Sequence, residues 1–168
     1  ISTLQYVMVN CRLEYPDSVR FFLGNRCAPG GYAWIFPRDD RVAGVGIGAR
    51  GGQAKVYLDG FVKMFEKELG CGQIIDFRGA PVPIGGMIRQ NVLDGAILIG
   101  DAAGTVIPMT GAGIHASVAA GLIAGEIAAE AVAEKDSSQK RLNEFNRRYE
   151  DPWAARIRRS LKAMKALK

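Results

Sequence analysis

Residues 96–134 constrain the fold more than any other stretch. A short apolar run, Ala96-Ile97-Leu98-Ile99, ends in Gly100-Asp101. A loop of small residues follows, and a Gly-x-Gly pair, Gly111 and Gly113, opens an alanine-rich helix over 113–134. A continuous apolar run this short reads as a strand buried on both faces. A carboxylate at the C-terminal end of such a strand stands where open α/β sheets bind ligands, and it can accept hydrogen bonds from sugar-like hydroxyls. Small residues let a ligand approach the backbone, and a helix N-terminus offers unpaired N–H groups with about half a positive charge. A Gly-Asp dipeptide alone says little. The spaced set GDAAG-x3-P-x2-G-x-GI before a helix points to a ligand site.

The first half has a different period. Strands are expected over 4–13, 19–23, 32–37, 42–49 and 74–81, with turns at 15–18 and 38–41 and a loop at 27–31. In 32–37 (YAWIFP), Tyr32, Trp34 and Phe36 share one face. In 42–49 (VAGVGIGA), Gly44, Gly46 and Gly48 leave one face bare, which predicts close approach by another backbone or a ligand. Leu58, Phe61, Val62, Phe65 and Leu69 predict a helix over 55–69 that stops at Gly70 and Gly72. Asp94-Gly95 predicts a tight turn. After a polar break at 135–138, apolar residues recur every three or four positions from Leu142 to Met164, and Asp151-Pro152 reads as a cap and first-turn proline restarting a helix.

Composition removes several classes. Hydrophobic residues are 48% and charged residues 23%, which excludes a disordered tail. The apolar runs read as broken before the ~20 residues of a membrane span, which argues against a membrane bundle. Residues 1–134 hold 11 Lys+Arg and 13 Asp+Glu, net −2; residues 135–168 hold 11 and 4, net +7. The basic balance therefore belongs to the tail, and no nucleic-acid-reading motif accompanies it. Cys11, Cys27 and Cys71 lack metal-site spacing and read as free thiols of a reducing compartment. The chain begins at Ile1, on the approach to a strand, and is expected to be a piece of a longer protein.

GDAAGTVIPMTGAGI resembles the second flavin motif of FAD-dependent reductases and hydroxylases related to p-hydroxybenzoate hydroxylase, and PGGYAWIFP at 29–37 resembles the YxWxFP motif of the geranylgeranyl reductases. The resemblance runs from about Gln5 to about Ala154. It implies a function: saturation of the C=C bonds of geranylgeranyl (isoprenoid lipid) chains by hydride transfer from reduced FAD. It implies that Asp101 binds the ribityl hydroxyls with Gly100 among the cofactor-binding residues, that Pro108 lies beside the isoalloxazine, and that Gly111, Ala112, Gly113 and Ile114 meet its pyrimidine edge. It implies that Tyr32, Trp34 and Phe36 line the cavity for a prenylated lipid or prenyl diphosphate. It assigns no proton donor and no electron donor. The strand–GxGxxG–helix unit that opens the family is not found here, so the isolated chain is expected to bind FAD weakly or not at all and to be inactive.

The fold expected is α+β. Residues 1–83 form part of a substrate domain with a largely antiparallel sheet, 84–134 form the second FAD-binding segment as a strand-turn-helix unit, and 135–168 form basic amphipathic C-terminal helices. The rival enzyme readings are an FAD-dependent monooxygenase and a quinone-linked flavoprotein dehydrogenase. The rival of another class is a non-catalytic prenyl-lipid-binding module, which would need neither Asp101 nor the glycine-rich helix start. His115 reads as a helix-start packing residue and Arg89 as a solvated side chain. The tail's apolar seam is expected to pack on protein outside this chain, with a peripheral contact to anionic membrane as the alternative. The location expected is cytoplasmic, extending to the membrane surface under that alternative.

Overall fold

A computed structural model describes residues 1–166. The chain is α+β and divides into two compact units, Ile1–Pro81 and Val82–Lys168.

The first unit is one antiparallel sheet covered on one face by helix. Its strands are β1 (Ser2–Val9), β2 (Arg20–Leu23), β3 (Tyr32–Pro37), β4 (Ala43–Ala49) and β5 (Gln73–Pro81), in the order β2-β3-β4-β1-β5. The β3–β4 hairpin closes where Asp39 Oδ1 accepts the N–H groups of Arg41 (2.8 Å) and Val42 (2.7 Å), an aspartate turn of the kind its sequence predicts. Helices α1 (Ala54–Met64) and α2 (Glu66–Leu69) lie on the sheet, and Leu58, Phe61 and Leu69 pack against Tyr6, Met8, Ile35, Val45 and Ile47. The single helix expected over 55–69 is interrupted at Phe65, whose backbone leaves helical geometry while its ring packs 4.7 Å from Phe22 and 4.9 Å from Phe61.

Three further expectations are corrected in this unit. Strand β1 ends at Val9 instead of residue 13, because Asn10 adopts φ 60°. Asparagine tolerates that region, and the turn sends Cys11 and Arg12 to bond Arg41 O and Glu68 O. The second strand starts at Arg20. The bare glycine face of β4 is filled by the sheet's own side chains. The Gln5 amide lies 3.3 Å from where a Gly44 β-carbon would stand, and Thr3 Cγ2 lies 3.5 Å from that of Gly48. A β-carbon on Gly46 would stand inside the Trp34 indole.

The second unit opens with the hairpin β6 (Val92–Leu93) and β7 (Ala96–Ile97), which turns at Asp94-Gly95 with Gly95 at φ 72°. A 3-10 turn (Gly100–Ala103) leads to α3 (Ile114–Glu134). Beyond it lie α4 (Gln139–Leu142), α5 (Glu144–Tyr149), a π-helical turn (Glu150–Ala154) and α6 (Ala155–Ala166). Run 96–99 is not buried on both faces: Ile97 and Ile99 pack towards the core, whereas Ala96 and Leu98 are exposed. Within this unit α3 covers only one side of the run.

Helix α3 also corrects the reading that apolar runs here are too short for a bilayer. Its 21 residues are long and apolar enough to cross a membrane by length and composition. Its Ala120, Ile127 and Ala131 nevertheless share a core with Leu142, Phe145, Tyr149 and Ile157. From Leu142 to Ile157 the tail's apolar seam therefore packs on α3 of the same chain. Nor does Asp151 restart a helix. Residues 150–154 continue in a widened π turn, which absorbs a Pro152 that has no N–H to donate.

Charge pins this packing. Arg141 bonds Glu130 (2.9 Å) and Glu134 (2.5 Å), and Arg148 reaches Glu126, Glu130 and Glu144. The Arg141→Ala variant is expected to melt at lower temperature than the parent, and the difference should shrink at high salt, since screening weakens exposed pairs. Thermal melts of both proteins at two salt concentrations test this.

Candidate functional site

In the first unit, the sheet face away from α1 carries an aromatic ladder. Tyr32, Trp34 and Phe36 alternate along β3 on that face, each half-buried. Trp34 stacks on Phe36 at 5.8 Å and leans on Tyr32 at 5.8 Å. Its indole lies flat over Gly46, and its Nε1–H donates to Gln5 Oε1 at 2.8 Å. Glycine is required at 46 because the ring occupies the space of any side chain there. The half-buried indole N–H needs an acceptor, and Gln5 on β1 supplies one.

Phe21 completes the ladder from β2, where it pairs with Trp34 and sets its ring edge-on to Tyr32 (5.7 Å) and Phe36 (5.2 Å). Sequence reasoning missed both Phe21 and Gln5. The signal for Phe21 was present: RFFL alternates so that Phe21 and Leu23 share one face and Phe22 takes the core face. Nothing local marks Gln5, whose partner lies 29 residues away. Phe21 is 57% exposed and Leu23 81%, so this is an open apolar surface suited to a long hydrocarbon chain. On the opposite face, burial raises the Tyr6 hydroxyl, helped by its 2.6 Å bond to Asp59, and Lys55 holds Asp59 low. These groups belong to packing.

In the second unit, the motif residues converge at the start of α3. Gly100 (φ 63°), Gly104 (φ 68°) and Gly111 (φ 71°) all take left-handed backbone that other residues avoid. Gly104 also admits no β-carbon, which would strike the carbonyl oxygen of Gly86. The loop closes through an antiparallel bridge between Ile107 and Ala112, with Gly111 N bonding Ile107 O at 2.9 Å. Asp101 is exposed, and its Oδ1 lies 3.4 Å from where a Gly113 β-carbon would stand. The end of the apolar run and the helix start are thus brought together. Gly113 caps α3 without a side-chain bond, and no acidic residue sits in the first turn. The N–H groups of that turn keep their positive field.

Gly111, Ala112 and Gly113 are half-buried, Ile114 is 84% exposed, and Pro108 is buried in the loop. His115 is exposed with its ring 5.2 Å from that of Trp153, and Arg89 is exposed. Burial raises the Tyr149 hydroxyl, which donates to Ala116 O at 3.2 Å and holds the first turn of α3 on α5. This end of the unit can offer an anionic acceptor, a positive helix terminus and side-chain-free backbone to one ligand. Among the described residues, no group of three or more His, Cys, Asp or Glu side chains could hold a metal ion.

The chain thus joins an antiparallel sheet with an open aromatic face to a glycine-rich strand-turn-helix that follows it in sequence. Residues 1–82 match the geranylgeranyl reductase catalytic domain. The digeranylgeranylglycerophospholipid reductase of Methanocaldococcus jannaschii is 36% identical over 99% of this chain and 43% of its own length. That of Methanococcoides burtonii, designated 1, is 41% identical over 86% of this chain and 36% of its own. A geranylgeranyl bacteriochlorophyll reductase-like protein from Thermoplasma acidophilum superposes with a TM-score of 0.87 and 31% identity, over 99% of this chain and 43% of that one. The flavin-dependent halogenase of chondrochloren shares the fold at 20% identity and a TM-score of 0.61. The chain belongs to the geranylgeranyl reductase family and spans about two-fifths of the length of the relatives it matches.

Proposed function

We propose that this chain is the substrate-sheet and second flavin-binding portion of an FAD-dependent reductase that saturates the geranylgeranyl chains of a glycerophospholipid. The observation that carries the reading is the open ladder of Phe21 on β2 and Tyr32, Trp34 and Phe36 on β3, beside the glycine strand and within the segment that matches the catalytic domain. Flat apolar rings at two-residue spacing can hold an extended polyene by contact alone, without polar groups that its carbons could not pair.

The start of α3 fits FAD by its chemistry: Asp101 beside Gly113, an uncapped helix terminus, and glycines where side chains would block approach. Asp101 would accept hydrogen bonds from the ribityl hydroxyls, and Gly100 would bring the backbone turn close to them. The backbone of Gly111, Ala112, Gly113 and Ile114 would meet the pyrimidine edge, with the helix field favouring negative charge there. Pro108 would set the loop beside the ring. Bound reduced flavin supplies the hydride for alkene saturation.

The test replaces the corresponding segment of the Methanocaldococcus jannaschii relative with this chain. With reduced flavin and a geranylgeranyl lipid, the product should gain two hydrogens per alkene; an oxygenated product would refute the reductase reading in favour of a monooxygenase. In the same chimera, Trp34→Ala should raise KM about tenfold with a smaller change in kcat, the loss of about 1.4 kcal/mol of chain binding. Asp101→Asn should weaken FAD binding about tenfold, whereas a non-catalytic lipid module would be indifferent to it.

A further inference from the structure

We propose that Cys11 and Cys71 are a redox pair that closes reversibly into an intramolecular disulfide. Strands β1 and β5 run antiparallel with Val9 opposite Gln73. Cys11 lies two residues beyond Val9 and Cys71 two residues before Gln73, so both leave the sheet at the same end of the same strand pair. Each sulfur lies beside the other's chain neighbour. Cys71 Sγ is 3.2 Å from the carbonyl oxygen of Asn10, and Cys11 Sγ is 3.0 Å from where a Gly72 β-carbon would stand. Both thiols are reduced in this structure. The third cysteine has a different neighbourhood, with Cys27 Sγ 4.0 Å from Met64 Sδ.

The two thiols are unequal, as an attacking and a resolving thiol must be. Cys71 is exposed and can meet a soluble oxidant; Cys11 is 1% exposed and cannot. Burial pushes the Cys11 thiol up, and charge on Cys71 adds to that, so the first attack belongs to Cys71. The oxidant is a low-molecular-weight disulfide. Cys71, having lost its proton, bonds to one sulfur of that disulfide, whose S–S bond breaks and releases one thiolate. Cys11, having lost its proton, then attacks Cys71 Sγ and expels the second thiolate. Two protein thiols are oxidised, one small disulfide is reduced to two thiolates, and the two protons released on the protein side can return to them.

The bond would tie the segment after β1 to the turn before β5. That segment is already held by Glu68, whose carbonyl accepts Arg12 N–H (2.8 Å) and whose carboxylate accepts Glu14 N–H (3.0 Å). Closure should stabilise the unit by restricting its unfolded chain.

Trypsin separates the three cysteines onto peptides 1–12, 27–38 and 68–78. The folded 168-residue chain is incubated with excess oxidised glutathione, alkylated, and digested without reductant. The expected result is a linked 1–12/68–78 pair from material that migrates as a monomer. The pair should disappear with dithiothreitol, persist in Cys27→Ser, form faster than in urea, and raise Tm by about 5 °C or more. Peptides 1–12 and 68–78 recovered alkylated or glutathionylated but unlinked would overturn the proposal. So would linkage through Cys27, linkage only between molecules, or a rate no faster than in urea.

Discussion

The Gly46→Val variant should lose about 2–3 kcal/mol of stability, even though valine is the better strand former. The new side chain needs the space held by the Trp34 ring, whose Nε1 would lie 2.7 Å from its β-carbon. The indole cannot slide along the sheet, because Tyr32 and Phe36 flank it and its N–H is bonded to Gln5. It must swing outward, giving up the bond, the ring contacts and the apolar area beneath it. In a Trp34→Ala background the same Gly46→Val change should be neutral or stabilising, since only strand propensity remains. Urea unfolding of the four proteins gives the coupling energy. An equal cost in both backgrounds would show that the indole is not what reserves position 46 for glycine. In a Trp153→Phe background, Trp34 emission should also shift to the red in Gly46→Val as the ring enters water.

The Glu68→Gln variant should be destabilised by about 3–4 kcal/mol at neutral pH. Glu68 is 7% exposed, and its oxygens accept both terminal nitrogens of Arg20, at 3.0 and 2.5 Å, as well as Glu14 N–H. The guanidinium lies among the rings of Tyr15, Phe22 and Phe65, so neutralising Glu68 strands a cation in a largely apolar setting. Hydrogen bonding from Arg20 holds the Glu68 carboxyl below its ordinary range, outweighing the opposing effect of burial. A depressed folded pKa contributes stability that is present above the unfolded value, about 4.3, and is lost as pH falls through the folded one. The parent should therefore lose stability below about pH 4.3 faster than Glu68→Gln does. Chemical unfolding of both at neutral and acid pH checks this; a gap that stays constant would refute the pair as its source.

Much of the fold was legible where a local pattern carries its own answer. Alternation in YAWIFP gives β3 and the shared face of Tyr32, Trp34 and Phe36, and Asp39 in the 38–41 turn gives the hairpin. The glycines of GDAAGTVIPMTGAGI are legible because left-handed backbone at Gly100, Gly104 and Gly111 excludes most other residues. Reading was poorer wherever a partner is distant. Asn10 ends β1 although the apolar pattern continues past it, because Cys11 and Arg12 bond elsewhere. Pro152 looked like a boundary, but the packing of Tyr149 and Ile157 on either side keeps the chain helical through a wider turn.

The sequence by itself determined which residues share a face and which positions must be glycine, since side-chain periodicity and backbone sterics are local properties. What lies against those faces was decided only by the tertiary structure. It laid the tail's seam on α3, an indole over Gly46, and Cys71 against the segment that carries Cys11. Burial of apolar surface is nondirectional, so a pattern states that a face needs cover and says nothing of which cover it receives.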